Sequence, residues 1–305
     1  MAQPILVTVD GAVLDPDVPI LHADDLAAVR GDGVFETLLV RSGTARCVDL
    51  HLQRLTRSAR ALDLPEPDVE QWAEAIAIGA RVWTEKNESA EGLMRLVYSR
   101  GRESAPAGSE VKKAGKQKQT GLTRDGGGAT EYLTVGPVAE RAAHVREHGV
   151  KVITAARGYS VDLAAAAPWQ LLGAKTLSYA TNMAALRYAA QQGVDDVIYT
   201  SSEGLVLESP RSTVILVEGE TLTTPPAESG ILEGTTQQAL FAQAEKEGWE
   251  TKIAPLSPAD LVGAEAVWLL SSITLAARVT ELNGYTMSTP DRPQDFSALV
   301  DRAIE

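Results

Sequence analysis

One stretch near the middle of the chain is the most informative about its fold: Gly173-Ala174-Lys175-Thr176-Leu177-Ser178-Tyr179-Ala180-Thr181-Asn182. The lysine of this stretch has small or apolar neighbours on both sides, namely Leu171, Leu172, Gly173, Ala174 and Leu177. Most lysines are solvated on the surface. An amine that such neighbours partly remove from water can instead act as a nucleophile or base near neutral pH. Lys175 is therefore the first candidate catalytic residue.

An acidic residue and a tight turn follow Lys175 along the chain. Glu208, thirty-three residues later, ends the apolar run Leu205-Val206-Leu207, and an acid at the end of a buried strand needs a partner. Gly230-Ile231-Leu232-Glu233-Gly234-Thr235-Thr236 then opens a helix, where free backbone N–H groups and the helix dipole favour a phosphate. A Schiff-base lysine, a carboxylate that keeps a ring nitrogen protonated and a phosphate-binding turn are what a pyridoxal phosphate enzyme needs. The order predicts pyridoxal 5′-phosphate as the cofactor.

The same residues carry a resemblance to a known family. Two further motifs, Gly31-Asp32-Gly33-Val34-Phe35-Glu36-Thr37 and His51-Leu52-Gln53-Arg54-Leu55, precede the lysine segment. In motif order, over nearly the whole chain, the sequence resembles the class IV aminotransferases. These are fold type IV pyridoxal phosphate enzymes and include branched-chain and D-amino-acid aminotransferases and 4-amino-4-deoxychorismate lyase. The resemblance implies an α+β protein with two domains, a smaller N-terminal one over residues 1–140 and a larger C-terminal, cofactor-binding one with a mixed sheet over residues 141–305.

The resemblance also implies roles for individual residues. Lys175 forms the Schiff base, Glu208 faces the ring nitrogen, and Tyr179 hydrogen-bonds the phenolic oxygen from the same helical face as Lys175 if this segment is helical. The phosphate ligands are expected to be Thr235, Thr236, Ser271, Ser272 and, from the first domain, Arg54. Three of these assignments have an alternative: Tyr179 as a half-buried aromatic, Arg54 as a solvated helix residue, and the turn before Thr235 as a cap without a ligand. The chain also has Thr213 where the family motif after the acid usually has asparagine.

Two arginines favour one branch of the family. Arg100, in an Arg-Gly pair at the end of a strand, and Arg211, in Glu208-Ser209-Pro210-Arg211-Ser212-Thr213, are similar to positions in the lyase branch and are candidate substrate-binding residues. Arg211 has a solvated hairpin position as its alternative. The function expected is 4-amino-4-deoxychorismate lyase, which gives 4-aminobenzoate and pyruvate for folate biosynthesis. The alternatives are an amino-acid aminotransferase of D-amino-acid or branched-chain type and, in a different class, a binding protein that lost the cofactor.

Composition limits the functions that the chain can have. The net charge of −13 and pI near 4.9 argue against partners such as nucleic acid and anionic membranes. No apolar run approaches the length of a membrane span and the start is unlike a signal peptide. The single cysteine, Cys47, fits a reducing cytoplasm, and the four histidines lack metal-ligand spacing, so no metal is expected. Apart from a small-molecule substrate, the expected partner is a second copy of the chain, because family members are homodimers.

Local patterns predict the main elements. Asp49 and Asp68 are expected to cap amphipathic helices, Ser178 to Gln192 is expected to be helical, and Thr235 with Gln238 has capping-box spacing. Residues 205–208 are expected to form a hairpin strand. Residues 102–131 are lysine- and glycine-rich, which is typical of a solvated loop, although a long insertion can also serve as a lid or subunit contact.

Overall fold

A computed structural model of the chain describes residues 2–88, 90–104 and 128–305. By their contacts these residues form two compact units, Met1–Val138 with Ala174–Tyr179 and Ala139–Gly173 with Ala180–Glu305. The first break lies near the division expected at residue 140. The expectation of two continuous domains does not include the return of residues 174–179 to the first unit. Most of the insertion at 102–131, including its lysines, lies outside the described residues.

The first unit is one antiparallel sheet with helices on one face. Its sheet has the strand order β2-β1-β6-β5-β3-β4, and α2 packs against β3 while α3 packs against β1 and β6. The apolar faces of α2 and α3 are buried, as their periodicity predicts. The elements are β1 (Ile5–Thr8), β2 (Val13–Leu14), α1 (Leu26–Arg30), β3 (Gly33–Arg41), β4 (Thr44–Ala45), α2 (Val48–Ala61), α3 (Val69–Lys86), β5 (Gly92–Ser99) and β6 (Thr130–Pro137).

The second unit is built on a mixed sheet, as expected. Its strand order is β11-β10-β9-β12-β13-β7-β8, with β14 beside β13, and the pairs β10–β11, β13–β7 and β7–β8 are parallel. The elements are α4 (Glu140–His148), β7 (Val150–Ala156), α5 (Leu163–Ala166), α6 (Ala180–Gln191), β8 (Asp196–Thr200), β9 (Thr213–Glu218), β10 (Thr221–Thr224), α7 (Thr235–Lys246), β11 (Glu250–Ile253), α8 (Pro258–Gly263), β12 (Ala266–Ser271), β13 (Leu275–Leu282), β14 (Tyr285–Thr286) and α9 (Pro293–Ala303). The α+β prediction is confirmed. None of the described helices is both long and apolar enough to cross a bilayer.

The helix caps were only partly predictable. The Asp68 cap is confirmed, because its side chain accepts a hydrogen bond from Gln71 N at 3.1 Å. The Asp49 cap is wrong: α2 begins one residue earlier, after Cys47, which has a left-handed φ of 53° and makes no side-chain cap. The Thr235 capping box is also wrong, because Gly234 is the N-cap of α7.

The predicted strand at residues 205–208 is not a regular strand. It makes one isolated bridge to β8, Thr200 with Val206. Three backbone hydrogen bonds flank this bridge, from Tyr199 N to Glu208 O, from Leu207 N to Tyr199 O and from Ser201 N to Leu205 O. The hairpin geometry is therefore present without a continuous ladder. Because it pairs with Tyr199, Glu208 stays next to the end of β8.

Candidate active site

The main chain around Lys175 is paired to an edge of β3. Phe35 N donates to Lys175 O at 3.1 Å and Leu177 N donates to Gly33 O at 2.8 Å, with an antiparallel bridge between Val34 and Thr176. Lys175 N donates to Ser58 Oγ of α2 at 3.1 Å. These bonds explain why the segment belongs to the first unit, and they fix the lysine backbone on both sides.

The glycines of the Gly31-Asp32-Gly33 motif make room for this segment. A Cβ on Gly33 would lie 2.7 Å from Leu177 Cδ1 and 2.7 Å from Tyr98 O. Gly31 has a φ of +68°, and a Cβ there would lie 2.6 Å from Ser178 Oγ. Since real Cβ atoms do not approach other heavy atoms so closely, both positions require glycine for the lysine segment to dock.

The side chain of Lys175 lies over an aromatic ring. Its Nζ is 4.6 Å from the centroid of Phe35, within the range of a cation–π contact. Tyr179 packs edge-on against the same ring, with centroids 5.4 Å apart. The expectation that Lys175 and Tyr179 share a helical face is wrong, because α6 begins at Ala180 and the lysine segment is extended. Phe35 brings the two side chains to one place instead.

Arg54 is held by a buried acid that the sequence did not single out. Arg54 donates to both carboxylate oxygens of Glu36, from Nε at 2.8 Å and Nη2 at 2.7 Å, and His51 Nδ1 lies 2.7 Å from the same carboxylate. Burial alone would raise the pKa of Glu36, but Arg54 and His51 outweigh it and hold that pKa far below its usual range. Burial lowers the pKa of His51, so the ring is neutral near pH 7. Arg54 is thus a buried, oriented guanidinium and not a solvated helix residue.

Arg100 has structural partners. Its guanidinium pairs with Asp32, with Nε at 2.7 Å from Oδ2, and it donates to the carbonyls of Leu62 at 2.5 Å and Asp63 at 3.2 Å, at the end of α2. It therefore ties the Gly31-Asp32-Gly33 turn to α2. This set of contacts gives Arg100 a structural role, and the substrate contact expected for it stays a prediction.

Glu208 is a largely buried carboxylate with two donors. Arg157 Nη1 donates to its Oε1 at 2.8 Å, and Leu232 N donates to its Oε2 at 3.0 Å. The side chains of Glu208 and Arg157 are 15% and 16% exposed. The expectation that Glu208 needs a partner is correct, but sequence reasoning missed that Arg157 supplies one. The signal that could have found it was an arginine directly after the strand β7.

The chain that follows Glu208 is held from two sides. Ser209 Oγ donates to the buried Asp196 at 2.7 Å, and Asn182 Nδ2 of α6 donates to Pro210 O at 3.0 Å. Arg211, next along the chain, is exposed. These bonds fix the backbone of Glu208 but do not bring Arg211 to any other predicted site residue, so its substrate role stays a prediction.

The N-terminus of α7 meets the turn after β12, and together they form a cradle of hydroxyl groups. Thr235 and Thr236 are buried, and Thr235 Oγ1 lies 3.4 Å from Ser272 Oγ. The N-cap position is occupied by Gly234, and any larger residue there would place its Cβ against Thr213 Oγ1. Backbone N–H groups at a helix N-terminus, together with converging hydroxyls, suit a phosphate. The geometry thus brings together three of the four predicted hydroxyl residues.

Ser271, the fourth, stabilises the turn itself. Its Oγ accepts from Thr274 N at 3.2 Å, while Arg146 of α4 donates from Nε to Thr274 O at 3.3 Å and from Nη2 to Ile273 O. Ser271 therefore shapes the backbone that presents Ser272. In the described ranges, no three His, Cys, Asp or Glu side chains are grouped as metal ligands would be.

The comparisons with known proteins agree with this geometry. Residues 33–282 match the family model described as amino-transferase class IV. A Mycobacterium tuberculosis protein named bifunctional aminodeoxychorismate lyase / D-amino acid transaminase is 47% identical over 307 residues, covering 98% of this chain and 99% of the relative.

Two solved structures show the same fold. The pyridoxal-phosphate-bound form of a hypothetical aminotransferase from Mycobacterium tuberculosis superposes with a TM-score of 0.90 at 48% identity, covering 99% of this chain and 98% of the other. A fold IV transaminase from Curtobacterium pusillum has a TM-score of 0.86 at 37% identity, covering 98% of each chain. The chain therefore belongs to the class IV aminotransferases, a family of pyridoxal-phosphate-dependent enzymes. The expected fold type IV architecture, enzyme class and cofactor are confirmed.

Proposed function

We propose that this enzyme is a 4-amino-4-deoxychorismate lyase that converts its substrate to 4-aminobenzoate and pyruvate. The observation that carries the proposal is the presentation of Lys175, whose amine lies over Phe35 on a main chain fixed by β3 and Ser58. The fixed main chain places the one reactive amine of this segment beside Phe35. The 47% identity to a relative whose name includes the lyase activity supports the choice of reaction.

Each predicted cofactor-binding residue has a role in this proposal, and Arg100 and Arg211 remain the candidates for substrate contact. Lys175 provides the amine that binds the cofactor covalently, and Glu208 accepts a hydrogen bond from the protonated ring nitrogen. The phosphate is held by the N-terminus of α7 and by hydroxyl groups, with the oriented guanidinium of Arg54 as a further ligand. The hydroxyl residues are Thr235, Thr236, Ser271 and Ser272. Tyr179 is the proposed partner of the phenolic oxygen. The residues fit the cofactor because their donors and acceptors match its anionic and cationic groups.

Pyridoxal phosphate, when bound, supplies an electron sink that stabilises negative charge on the substrate carbon next to nitrogen. Lys175 Nζ takes the proton from the substrate carbon that bears the amino group. The C–O bond between the substrate ring and the enolpyruvyl group then breaks, and the same amine returns a proton to the methylene carbon of the departing group. Pyruvate leaves in this way as the ring becomes aromatic. With the cofactor bound, Glu208 would keep the ring nitrogen protonated, because its backbone is fixed by Tyr199 and its carboxylate by two donors.

D-amino-acid transamination is the second candidate function. The relative at 47% identity is named for both activities, and the chain matches solved structures named as transaminases at 37% and 48% identity. Transamination shares the first step, in which Lys175 takes the proton from the substrate carbon that bears the amino group, but it has no departing enolpyruvyl group and consumes a keto acid as acceptor. A branched-chain substrate, the other alternative from the sequence, has no comparable support.

The assembly and location expected from the sequence remain part of this proposal. We propose a homodimer in the cytoplasm that acts on a small molecule. The single cysteine, which is partly exposed, suits a reducing compartment.

The test supplies purified enzyme with aminodeoxychorismate alone and measures pyruvate and 4-aminobenzoate. We expect equal amounts of both without any keto acid, and a loss of at least about a hundredfold in Lys175→Ala because the proton-transfer group is gone. Borohydride treatment should fix the cofactor to the peptide that holds Lys175 in the wild type and to no peptide in the variant.

A second assay offers D-amino acids with 2-oxoglutarate or pyruvate. Fast transamination without 4-aminobenzoate would overturn the lyase proposal and leave the transaminase. Borohydride labelling of another lysine would overturn the assignment of Lys175 in either case.

A further inference from the structure

The proposed partner of the ring nitrogen, Glu208, already has a cationic partner within the chain. Arg157 Nη1 lies 2.8 Å from Glu208 Oε1, and both side chains are largely buried. An arginine cannot lose its charge in proteins, so Glu208 faces a permanent cation. None of the chemistry proposed above uses Arg157.

The fold holds the Arg157 guanidinium firmly in this place. Arg157 follows β7 directly, and its backbone N–H donates to Thr200 O of the neighbouring β8 at 2.9 Å. The rings of Tyr159 and Tyr199 lie on the guanidinium, each with its centroid 5.6 Å from Cζ. Nη1 also lies 3.4 Å from Gly230 O. Contacts with two aromatic rings and a backbone anchored to a strand end are typical of a buried cation in a fixed position, and are not needed for an ion pair on the surface.

We propose that Arg157 is a positioning residue that shares Glu208 with the ring nitrogen of the cofactor and so weakens the hold of Glu208 on that nitrogen. The inference rests on the function proposed above, and specifically on the role of Glu208. It assigns Arg157 no contact with substrate or cofactor.

The sign of the effect follows from the charges. A protonated ring nitrogen that binds the carboxylate of Glu208 comes within about 8 Å of the guanidinium, since each hydrogen bond to a carboxylate oxygen is about 2.8 Å long. The two cations repel each other, and burial leaves that repulsion poorly screened. Arg157 also pairs with Glu208 before the cofactor binds, so the cofactor gains less than it would from a bare carboxylate. Removing the charge of Arg157 should therefore tighten cofactor binding.

The experiment compares two cofactors on apoenzyme. One is pyridoxal phosphate, and the other is its analogue with a C–H group in place of the ring nitrogen, which cannot donate to Glu208. In Arg157→Gln we expect the dissociation constant for pyridoxal phosphate to fall about tenfold, in line with loss of one nearby like charge, and that for the analogue to stay unchanged. Arg157→Lys, which keeps the charge, should resemble the wild type.

Two controls separate this effect from general damage. Arg141→Gln removes another ion pair of the same unit, the half-exposed pair with Asp195, and should change neither constant. In a Glu208→Gln background, Arg157→Gln should no longer change the ratio of the two constants, because the shared acceptor is absent. The thermal unfolding temperature of each apoprotein shows whether a variant is folded. Arg157→Met, which also removes the charge but keeps a long side chain, replaces Arg157→Gln if that variant is not folded, with the same expected fall in the dissociation constant for pyridoxal phosphate.

The outcomes distinguish this inference from the proposed function. Equal weakening of both cofactors in Arg157→Gln would mean that Arg157 only supports the structure, and selective weakening of pyridoxal phosphate would reverse the proposed sign. Either result would overturn the inference while wild-type enzyme still bound pyridoxal phosphate through Lys175. If the wild type fails to bind the cofactor at Lys175, the proposed function itself fails.

Discussion

Glu36 and Glu208 are acids that the fold removes from water, and each is matched by one arginine. Glu36 is fully buried and receives Arg54 on both oxygens, whereas Glu208 receives Arg157 on one oxygen and a backbone N–H on the other. Breaking a buried pair by removing one partner leaves an uncompensated charge, which costs far more than losing a surface pair. The two pairs should therefore respond strongly to neutral substitutions.

The pair of Glu36 and Arg54 predicts how stability depends on pH. Because pairing holds the pKa of Glu36 below that of an unfolded glutamate, its contribution is present above about pH 4.3 and is lost as the pH falls. Glu36→Gln should lower the free energy of unfolding of apoenzyme by about 3–5 kcal/mol near neutral pH. Denaturant titrations from neutral pH into acid should show the difference from wild type narrowing as the wild type loses this contribution.

The exposed pair of Arg81 and Glu85 on α3 provides the control for that measurement. Both side chains are about 60% exposed, so Glu85→Gln should cost no more than about 0.5 kcal/mol at any pH. A difference between Glu36→Gln and wild type that stayed constant into acid would contradict the assignment of a depressed pKa to Glu36.

Single residues were predictable where their own neighbours carried the signal. Lys175 and Glu208 stood out because apolar residues flank them in the sequence. The partners Glu36 and Arg157 did not stand out, because the contacts of Glu36 with Arg54 and of Arg157 with Glu208 join residues 18 and 51 positions apart. Such pairs depend on how a helix or strand docks, and one sequence gives no measure of that.

The segment from Ala174 to Ser178 acts as an added strand of the first unit. It takes the edge of β3 that lies opposite β5, and Gly33 permits its close approach. The backbone of the reactive lysine is thus set by main-chain hydrogen bonds and one contact to α2. A substitution that pushes the segment away from β3 should displace Lys175 even though it replaces no site residue.

Gly33→Ala tests this docking. The added methyl group would overlap Leu177 and the carbonyl of Tyr98, so we expect a loss of about 1–3 kcal/mol in stability. The yield of cofactor fixed to the Lys175 peptide by borohydride should fall as well. Gly136→Ala in β6 is the matched control, since a Cβ there meets nothing within 4 Å. Normal labelling of Lys175 in Gly33→Ala would show that the edge pairing does not position the amine.

Elements with a clear period were predicted well, and their ends less well. The apolar faces of α2 and α3 and the cap at Asp68 follow from spacing. The starts of α2 and α7 do not follow from spacing. Cys47, before α2, adopts a left-handed conformation, and Gly234, before α7, has no room for a side chain beside Thr213. The sequence pattern predicts that Tyr179 is helical, because the residues after it are. The residues before it are extended instead, because they pair with β3.

Assembly is suggested by helix α6 and the turn before it. Ala189 is buried, but most of α6 is exposed or half-buried although much of the helix is apolar, and Tyr188 is 49% exposed. Trp169, in the 3₁₀ turn Pro168–Gln170, is 73% exposed. Exposed apolar surface of this kind marks interaction sites in many proteins. A second copy of the chain is the partner we expect there.

Sedimentation of the holoenzyme should therefore give about twice the chain mass of 32.4 kDa. Tyr188→Glu should shift the equilibrium toward the single chain, because a charge would be buried at the interface. Val13→Glu, at a residue 42% exposed in the first unit, should leave the mass unchanged. A wild-type monomer with full activity would contradict the homodimer.

The pairing of residues 174–178 with β3 also affects the tendency of this enzyme to aggregate. Without that segment, β3 would present a row of open N–H and C=O groups to other chains, which is the usual starting point for aggregation. The segment that carries the reactive lysine therefore also covers the open edge of β3. Selection for solubility should retain its backbone even in descendants that have lost the lysine and the chemistry. The scaffold of the reaction can in this way outlast the reaction itself.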